Sequence, residues 1–172
     1  MTPPHPDEPT LYALLDRHNI AYHTEEHEAV FTVDEGKAVK DRLPGGHSKN
    51  LFLKDKAGQF VLISALGATP ITLNRLHPHI GTKRLSFGKE DDLFAYLGVR
   101  PGSVTVFSVM NDPQGDVRLI LDKALFDHDE VWFHPMRNTA STRIKSADLL
   151  AFARATGHAP LILDLAGLTA EE

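Results

Sequence analysis

Three segments place polar and cationic side chains where chemistry could be done. In Gly45-Gly46-His47-Ser48-Lys49-Asn50-Leu51-Phe52-Leu53, two glycines precede a lysine and an asparagine at the entrance of a strongly apolar run. Glycines let a backbone approach a partner closely. Lys49 offers a point charge to a phosphate or polarised carbonyl, and Asn50 an orienting amide. The plainer reading of Lys49 is a solvated charge at a strand edge. In Pro101-Gly102-Ser103-Val104, a glycine turn could offer backbone N–H groups to an oxyanion or phosphate. Alone it is only a turn. In Phe133-His134-Pro135-Met136-Arg137-Asn138-Thr139-Ala140-Ser141-Thr142, a histidine at a predicted strand end is followed by five polar side chains in eight residues. Loops at strand ends commonly carry sites; a well-bonded polar turn is the alternative.

Other chemistry finds less support. His23-Thr24-Glu25-Glu26-His27 has the H-x-x-E-H spelling of some zinc proteases. That chemistry needs both histidines on one helical turn, whereas Ile20-Ala21-Tyr22 reads as the start of a strand. A strand would separate the two histidines by about 13 Å, too far to share a metal. His77-Pro78-His79 lacks a third ligand. The chain has no cysteine, hence no thiol nucleophile and no Cys-type metal site. There is no phosphate-binding P-loop, no G-x-G-x-x-G after a strand, and no G-x-S-x-G elbow around Ser64 or Ser103. Neither a metal nor another cofactor is expected.

These segments need a scaffold. A chain of 172 residues buries roughly 70% of its unfolded surface on folding, enough for one core. Eighteen basic against 23 acidic residues give a net charge of −5, which argues against a broad duplex-DNA binder. A local basic patch for one RNA end is compatible with it. The first residues show neither a basic n-region nor an apolar run, and no stretch approaches the roughly 18 apolar residues of a membrane span. A cytoplasmic protein without a membrane partner is expected.

Residues 1–9, with four prolines, read as a flexible arm, followed by a single domain over 10–172. A helix is expected from Thr10 to about His18, with Leu11, Leu14 and Leu15 on one face. A strand follows over Ile20–His23. Thr32 and Glu35 form a capping box for a helix reaching about Arg42. Strands are expected over Asn50–Lys54 and Gln59–Ala65, joined by the turn Asp55-Lys56-Ala57-Gly58. Then come a short helix with Leu73 and Leu76, a strand over Arg84–Phe87 and a helix over Glu90–Leu97 stopped by Gly98. Further strands are predicted over Val104–Val109, Val117–Leu121 and Val131–Phe133. Ser146 caps a last helix over Ala147–Ala155, and Leu161–Leu165 reads as a final strand or a helix end. The irregular mixture indicates an α+β (mixed α/β) domain rather than a regular βαβ array.

Taken together, G-G-H-S-K-N-L-F-L-K-D, L-x-x-x-L-G-V-x-P-G-S-V-T and F-H-P-x-x-N-T-A-S-T, in this order, resemble the bacterial YbaK/ProX aminoacyl-tRNA deacylases. The resemblance spans roughly residues 10–165 and is strongest to the free-standing ProX (PrdX) branch. That branch hydrolyses alanine mischarged onto proline tRNA and is similar to the editing insertion of bacterial prolyl-tRNA synthetases. It implies a compact, partly barrel-like mixed β-sheet surrounded by helices. It also implies catalytic roles for Lys49, Gly102, Ser103 and His134. His47, Asn50, Asn138, Thr139 and Ser141 lie in the matching motifs as substrate contacts. Val106 stands where relatives often carry proline.

The resemblance implies an acceptor-end tRNA substrate, and it leaves room for transient contact with prolyl-tRNA synthetase. A monomer is the default. With no cysteine, triad or convincing metal, the vicinal ribose hydroxyl is a plausible assistant to the attacking water, with Lys49 holding phosphate, ribose or ester. Val30, Phe31 and Val33 are candidate walls of an alanine-sized pocket or plain core residues, and Lys54, Lys56, Lys83 and Arg84 are candidate guides for the RNA. Alternatives stay open: a non-catalytic nucleic-acid or nucleotide binder, a deacylase for cysteinyl-tRNA, and metal-dependent hydrolysis through His23 and His27.

Overall fold

The computed structural model describes residues 6–29 and 33–170, without the side chains of 33–35, 169 and 170. The first helix, α1 (Glu8–Arg17), carries Leu11 and Leu15 one turn apart, both fully buried. It begins two residues before the expected Thr10. The reason is electrostatic: Glu8 is buried and takes the Arg137 guanidinium through both carboxylate oxygens, at 2.6 and 3.2 Å. Asp7 also accepts from the Asn111 side chain. The expected arm over residues 1–9 is therefore anchored at Asp7 and Glu8, and residues 1–5 lie outside the described residues.

The remaining elements are β1 (Tyr22–Glu26), α2 (Val33–Arg42), β2 (Gly46–Asp55), β3 (Phe60–Leu66), α3 (Leu73–Ile80), β4 (Leu85–Phe87), α4 (Glu90–Leu97), β5 (Val117–Asp122), β6 (Glu130–Phe133), β7 (Ala140–Lys145), α5 (Ser146–Ala155), β8 (Leu161–Leu163) and α6 (Leu165–Ala170). Eight strands form one mixed sheet in the order β1-β7-β6-β2-β3-β5-β8, with β4 beside the far end of β2. The α+β expectation holds.

Alternation along the strands gives the sheet two faces. One carries Phe52, Leu62, Leu121, Phe133 and Ile144, packed against α1, α4 and α5. Phe107 anchors this core, edge-on to Phe133 at 5.4 Å and Phe152 at 5.3 Å. On the other face, Leu53, Ile63 and Ile120 form a smaller core with Leu76, Ile80 and Leu165 from α3 and α6.

Other predicted elements change as well: the strand expected over Ile20–His23 runs over Tyr22–Glu26. Val104–Val109 is no strand: Val106–Asn111 is a 3-10 helix. Thr105 accepts from the Phe107 amide, and the Ser108 hydroxyl donates back to the Thr105 carbonyl. Ser146 does not cap α5; it is the first helical residue, and its hydroxyl donates to the His128 carbonyl. The last strand stops at Leu163, and Leu165 opens α6.

Candidate active site

Strand register decides which polar side chains meet. β2 runs parallel to β6, with Gly46 beside Val131 and His47 beside Trp132. The ladder ends there, closed by the Ser48 hydroxyl donating to the Trp132 carbonyl at 2.7 Å. Carried on two residues, this register sets Lys49 abreast of His134 as the strands part. β7 pairs with β6 so that Phe133 faces Thr142, which puts His134 opposite Ser141. Ser141 in turn faces Glu25 on β1. On the other side of β2, Lys49 faces Ala65, and the β3–β5 register continues to Asp122. One row thus crosses six strands on a single face: Glu25, Ser141, His134, Lys49, Ala65, Asp122. Adjacent strands lie about 4.8 Å apart, so the centre of the row is within reach of one small ligand.

Lys49 is half-buried and its ammonium donates to the Thr69 carbonyl. Burial pushes its pKa below the usual lysine value, the Asp122 charge opposes that, and Lys40 adds to it. Asp122 is fully buried and accepts from the Leu66 and Ala124 amides, both at 3.1 Å. Its carboxylate is fixed where it supports the lysine charge. Lys40 reaches the site from α2, its Nζ lying 3.3 Å from where a Cβ on Gly67 would stand.

The histidines share a pattern. His134 Nδ1 meets the Ala140 carbonyl at 3.1 Å, His27 Nδ1 the Glu28 carbonyl at 2.7 Å, and His47 Nε2 the Leu43 carbonyl at 2.8 Å. A carbonyl only accepts, so each of these nitrogens carries the hydrogen in the assigned network. The second nitrogen of each neutral ring is then an acceptor. Burial lowers the pKa of both His134 and His47, favouring the neutral form. The His27 acceptor, Nε2, meets Ser141 Oγ at 2.9 Å.

The sequence candidates divide. Lys49, His47, His134 and Ser141 share the row's face. Asn50 points to the other face, opposite Ser64, and its amide donates to Ser48 Oγ at 3.3 Å. Thr139 is spent on structure: its carbonyl accepts from the His27 amide and its hydroxyl from Arg137. Asn138 is half-buried in the same loop. Gly102 has φ +89°, a conformation that favours glycine. The Ser103 amide donates to the Arg100 carbonyl at 3.0 Å, which engages it inside the turn. Val30 and Phe31 lie outside the described residues, as does the Thr32 of the expected capping box, and the Val33 side chain is likewise not described. Gly45 and Gly46 serve packing within the sheet: Gly45 has φ +114°, and a Cβ on Gly46 would sit 2.9 Å from the His128 ring.

The H-x-x-E-H spelling yields no shared metal position. His23 on β1 bonds Glu25, and His27 bonds Ser141. Among the described residues, no three His, Asp or Glu side chains are grouped to hold a metal ion. His27, Asp122, Thr69 and Lys40 were absent from the motif-based site. Only His27 carried a local sequence signal, and that signal pointed to a metal.

Residues 27–152 match the sequence profile of the aminoacyl-tRNA editing domain. The chain belongs to that family. Its activity is that of an aminoacyl-tRNA deacylase. A mouse relative, prolyl-tRNA synthetase associated domain-containing protein 1, is 40% identical over 144 residues, covering 81% of this chain and 85% of its own. The prolyl-tRNA editing protein ProX of Acetoanaerobium sticklandii is 35% identical over 149 residues, covering 86% and 91%. A solved structure described as a candidate trans-editing enzyme for prolyl tRNA synthetase superposes with a TM-score of 0.71 at 21% identity, over 93% of this chain and 96% of that one. The fold is therefore that of the editing domains. No helix among the described residues is long and apolar enough to cross a membrane.

Proposed function

We propose that this editing domain acts in trans on proline tRNA mischarged with alanine. The observation that carries the reading is the placement of Lys49: a half-buried cation, tethered to the Thr69 carbonyl and abreast of His134 where β2 parts from β6. The names of the mouse and Acetoanaerobium relatives support proline tRNA as the substrate.

Hydrolysis of an aminoacyl ester needs a positioned water and a stabilised tetrahedral oxyanion. Lys49 supplies the charge, either to the oxygen of the ester carbonyl or to the terminal phosphate. The vicinal ribose hydroxyl helps to place the water. His134 offers Nε2 as a neutral acceptor beside the ester. The Ser103 amide is occupied by Arg100, so Lys49 rather than this amide takes the main electrostatic role. Gly102 permits the turn that carries the loop.

Selectivity follows from volume. A synthetase site built for proline rejects the smaller alanine by only about 1–3 kcal/mol, so a second, smaller site must do the sorting. Val30, Phe31 and Val33 remain the proposed walls of that site. A protein of net charge −5 suits contact with the acceptor end alone, with Lys40 and Lys49 as local cations.

The test is release of amino acid from Ala-tRNA(Pro), Pro-tRNA(Pro) and Cys-tRNA(Pro) by the purified protein. Rapid alanine release with proline spared is expected. Release of cysteine alone would keep the deacylase and overturn the alanine assignment. Tight, salt-sensitive binding without turnover of any ester would favour a binding module.

A further inference from the structure

The contact between His27 and Ser141 lies outside the chemistry assigned to Lys49. Three bonds fix His27: its amide donates to the Thr139 carbonyl at 3.0 Å, its Nδ1–H to the Glu28 carbonyl at 2.7 Å, and its Nε2 meets Ser141 Oγ at 2.9 Å. With Nδ1 protonated, Nε2 is a lone-pair acceptor, so the serine hydroxyl donates to it. This is the arrangement of a hydroxyl, a base and a group that orients the base. Ser141 is 6% exposed; the strand register sets it opposite His134, and the ring of His134 lies 6.4 Å from that of His27. Its proton is committed to His27, so its oxygen lone pairs remain to accept a hydrogen bond from a ligand hydroxyl or a water.

We infer that Ser141 and His27 form a proton relay for the deacylation, with Ser141 accepting from the attacking water and His27 as the terminal base. The water oxygen bonds to the ester carbonyl carbon. Its proton passes to Ser141 Oγ while the Ser141 proton passes to His27 Nε2, leaving an imidazolium. The tetrahedral intermediate then collapses, the carbon–oxygen bond to the ribose breaks, and the proton returns through Ser141 to the departing ribose oxygen. Ester and water become carboxylic acid and ribose hydroxyl, with no other reactant. Ser141 is not acylated. The Glu28 carbonyl holds the productive tautomer and stabilises the imidazolium.

The inference rests on the deacylase reading, and the experiment separates the two. Steady-state and single-turnover hydrolysis are measured for the wild type, Ser141→Ala, Ser141→Thr, His27→Asn and the double variant Ser141→Ala/His27→Asn. The substrate is whichever of Ala-, Pro- or Cys-tRNA(Pro) the wild type hydrolyses fastest. Losing general-base assistance costs about 10²-fold or more. Ser141→Ala and His27→Asn should each lower kcat by that factor with KM unchanged. The double variant should lose little more than either single one, because the two groups act as a unit. Ser141→Thr, which keeps the hydroxyl, should recover most of the rate, and thermal melts should show all variants folded. Wild-type kcat in folded Ser141→Ala overturns the relay, as do multiplicative losses in the double variant. An acyl group trapped on Ser141 overturns it in favour of covalent attack. Absence of hydrolysis by the wild type overturns the deacylase reading itself.

Discussion

Replacing Arg137 by methionine should destabilise the domain and silence the loop that carries His134. The Arg137 side chain is 11% exposed and its partner Glu8 5%. Two bonds join them, at 2.6 and 3.2 Å, and the two carboxylates hold the guanidinium pKa well above its usual value, with Glu8 the leading cause. Methionine keeps much of the stem but strips the buried Glu8 carboxylate of its guanidinium contacts. Breaking a buried pair from one side costs about 3–5 kcal/mol. For a chain of this length that lowers Tm by about 6–20 °C. The second partner, Glu26, is 56% exposed, so Glu26→Gln should cost no more than about 1 kcal/mol. The double variant Glu8→Gln/Arg137→Met should recover part of the loss, since no uncompensated charge stays buried. Circular-dichroism melts at pH 7 read all four proteins. A loss below about 1 kcal/mol for Arg137→Met, or a loss for Glu26→Gln as large as that of Arg137→Met, would refute the reasoning.

Other outcomes follow from burial and charge. Gly88→Ala places a Cβ 2.4 Å from the buried Phe52 ring; the overpacking should cost about 1–3 kcal/mol, read as a lower urea midpoint. Burial holds the His47 and His134 pKa values below their usual 6.5. Between the folded and unfolded values the unfolded chain binds more protons, so stability should fall as pH drops below about 6.5. Urea midpoints at pH 7.5 and pH 5.5 check this, and equal midpoints would contradict it. Asp122→Asn removes the charge that raises the Lys49 pKa. The alkaline limb of the deacylation rate should then move to lower pH, and an unmoved limb would mean that the lysine charge is not used.

The helix α4 was legible residue for residue because its signals are local. Glu90, Asp91 and Asp92 fill the first turn, and Gly98 ends it at φ +71°. The 3-10 helix at Val106–Asn111 was not, since a short, mostly apolar run broken only by Thr105 and Ser108 has no clear period to separate a buried strand from a buried turn. β7 escaped notice although its alternation is plain: Thr142 and Ile144 are buried, while Arg143 and Lys145 are not. The Pro135 and Asn138 turn beside it made the whole segment read as a loop. Lys49 and His134 stood out through their motifs. Asp122 could not, and His27 stood out only as a metal ligand, because only pairing between strands distant in sequence brings Asp122 to the row and His27 to Ser141.

The central claim is that Lys49 supplies the charge that stabilises ester hydrolysis. Single-turnover release of alanine from Ala-tRNA(Pro) by the wild type, Lys49→Ala and Lys49→Met tests it most directly. Removing one oxyanion-stabilising group costs about 10²–10³ in rate, so both variants should fall at least that far while remaining folded. Folded variants that release alanine at the wild-type rate would contradict the account.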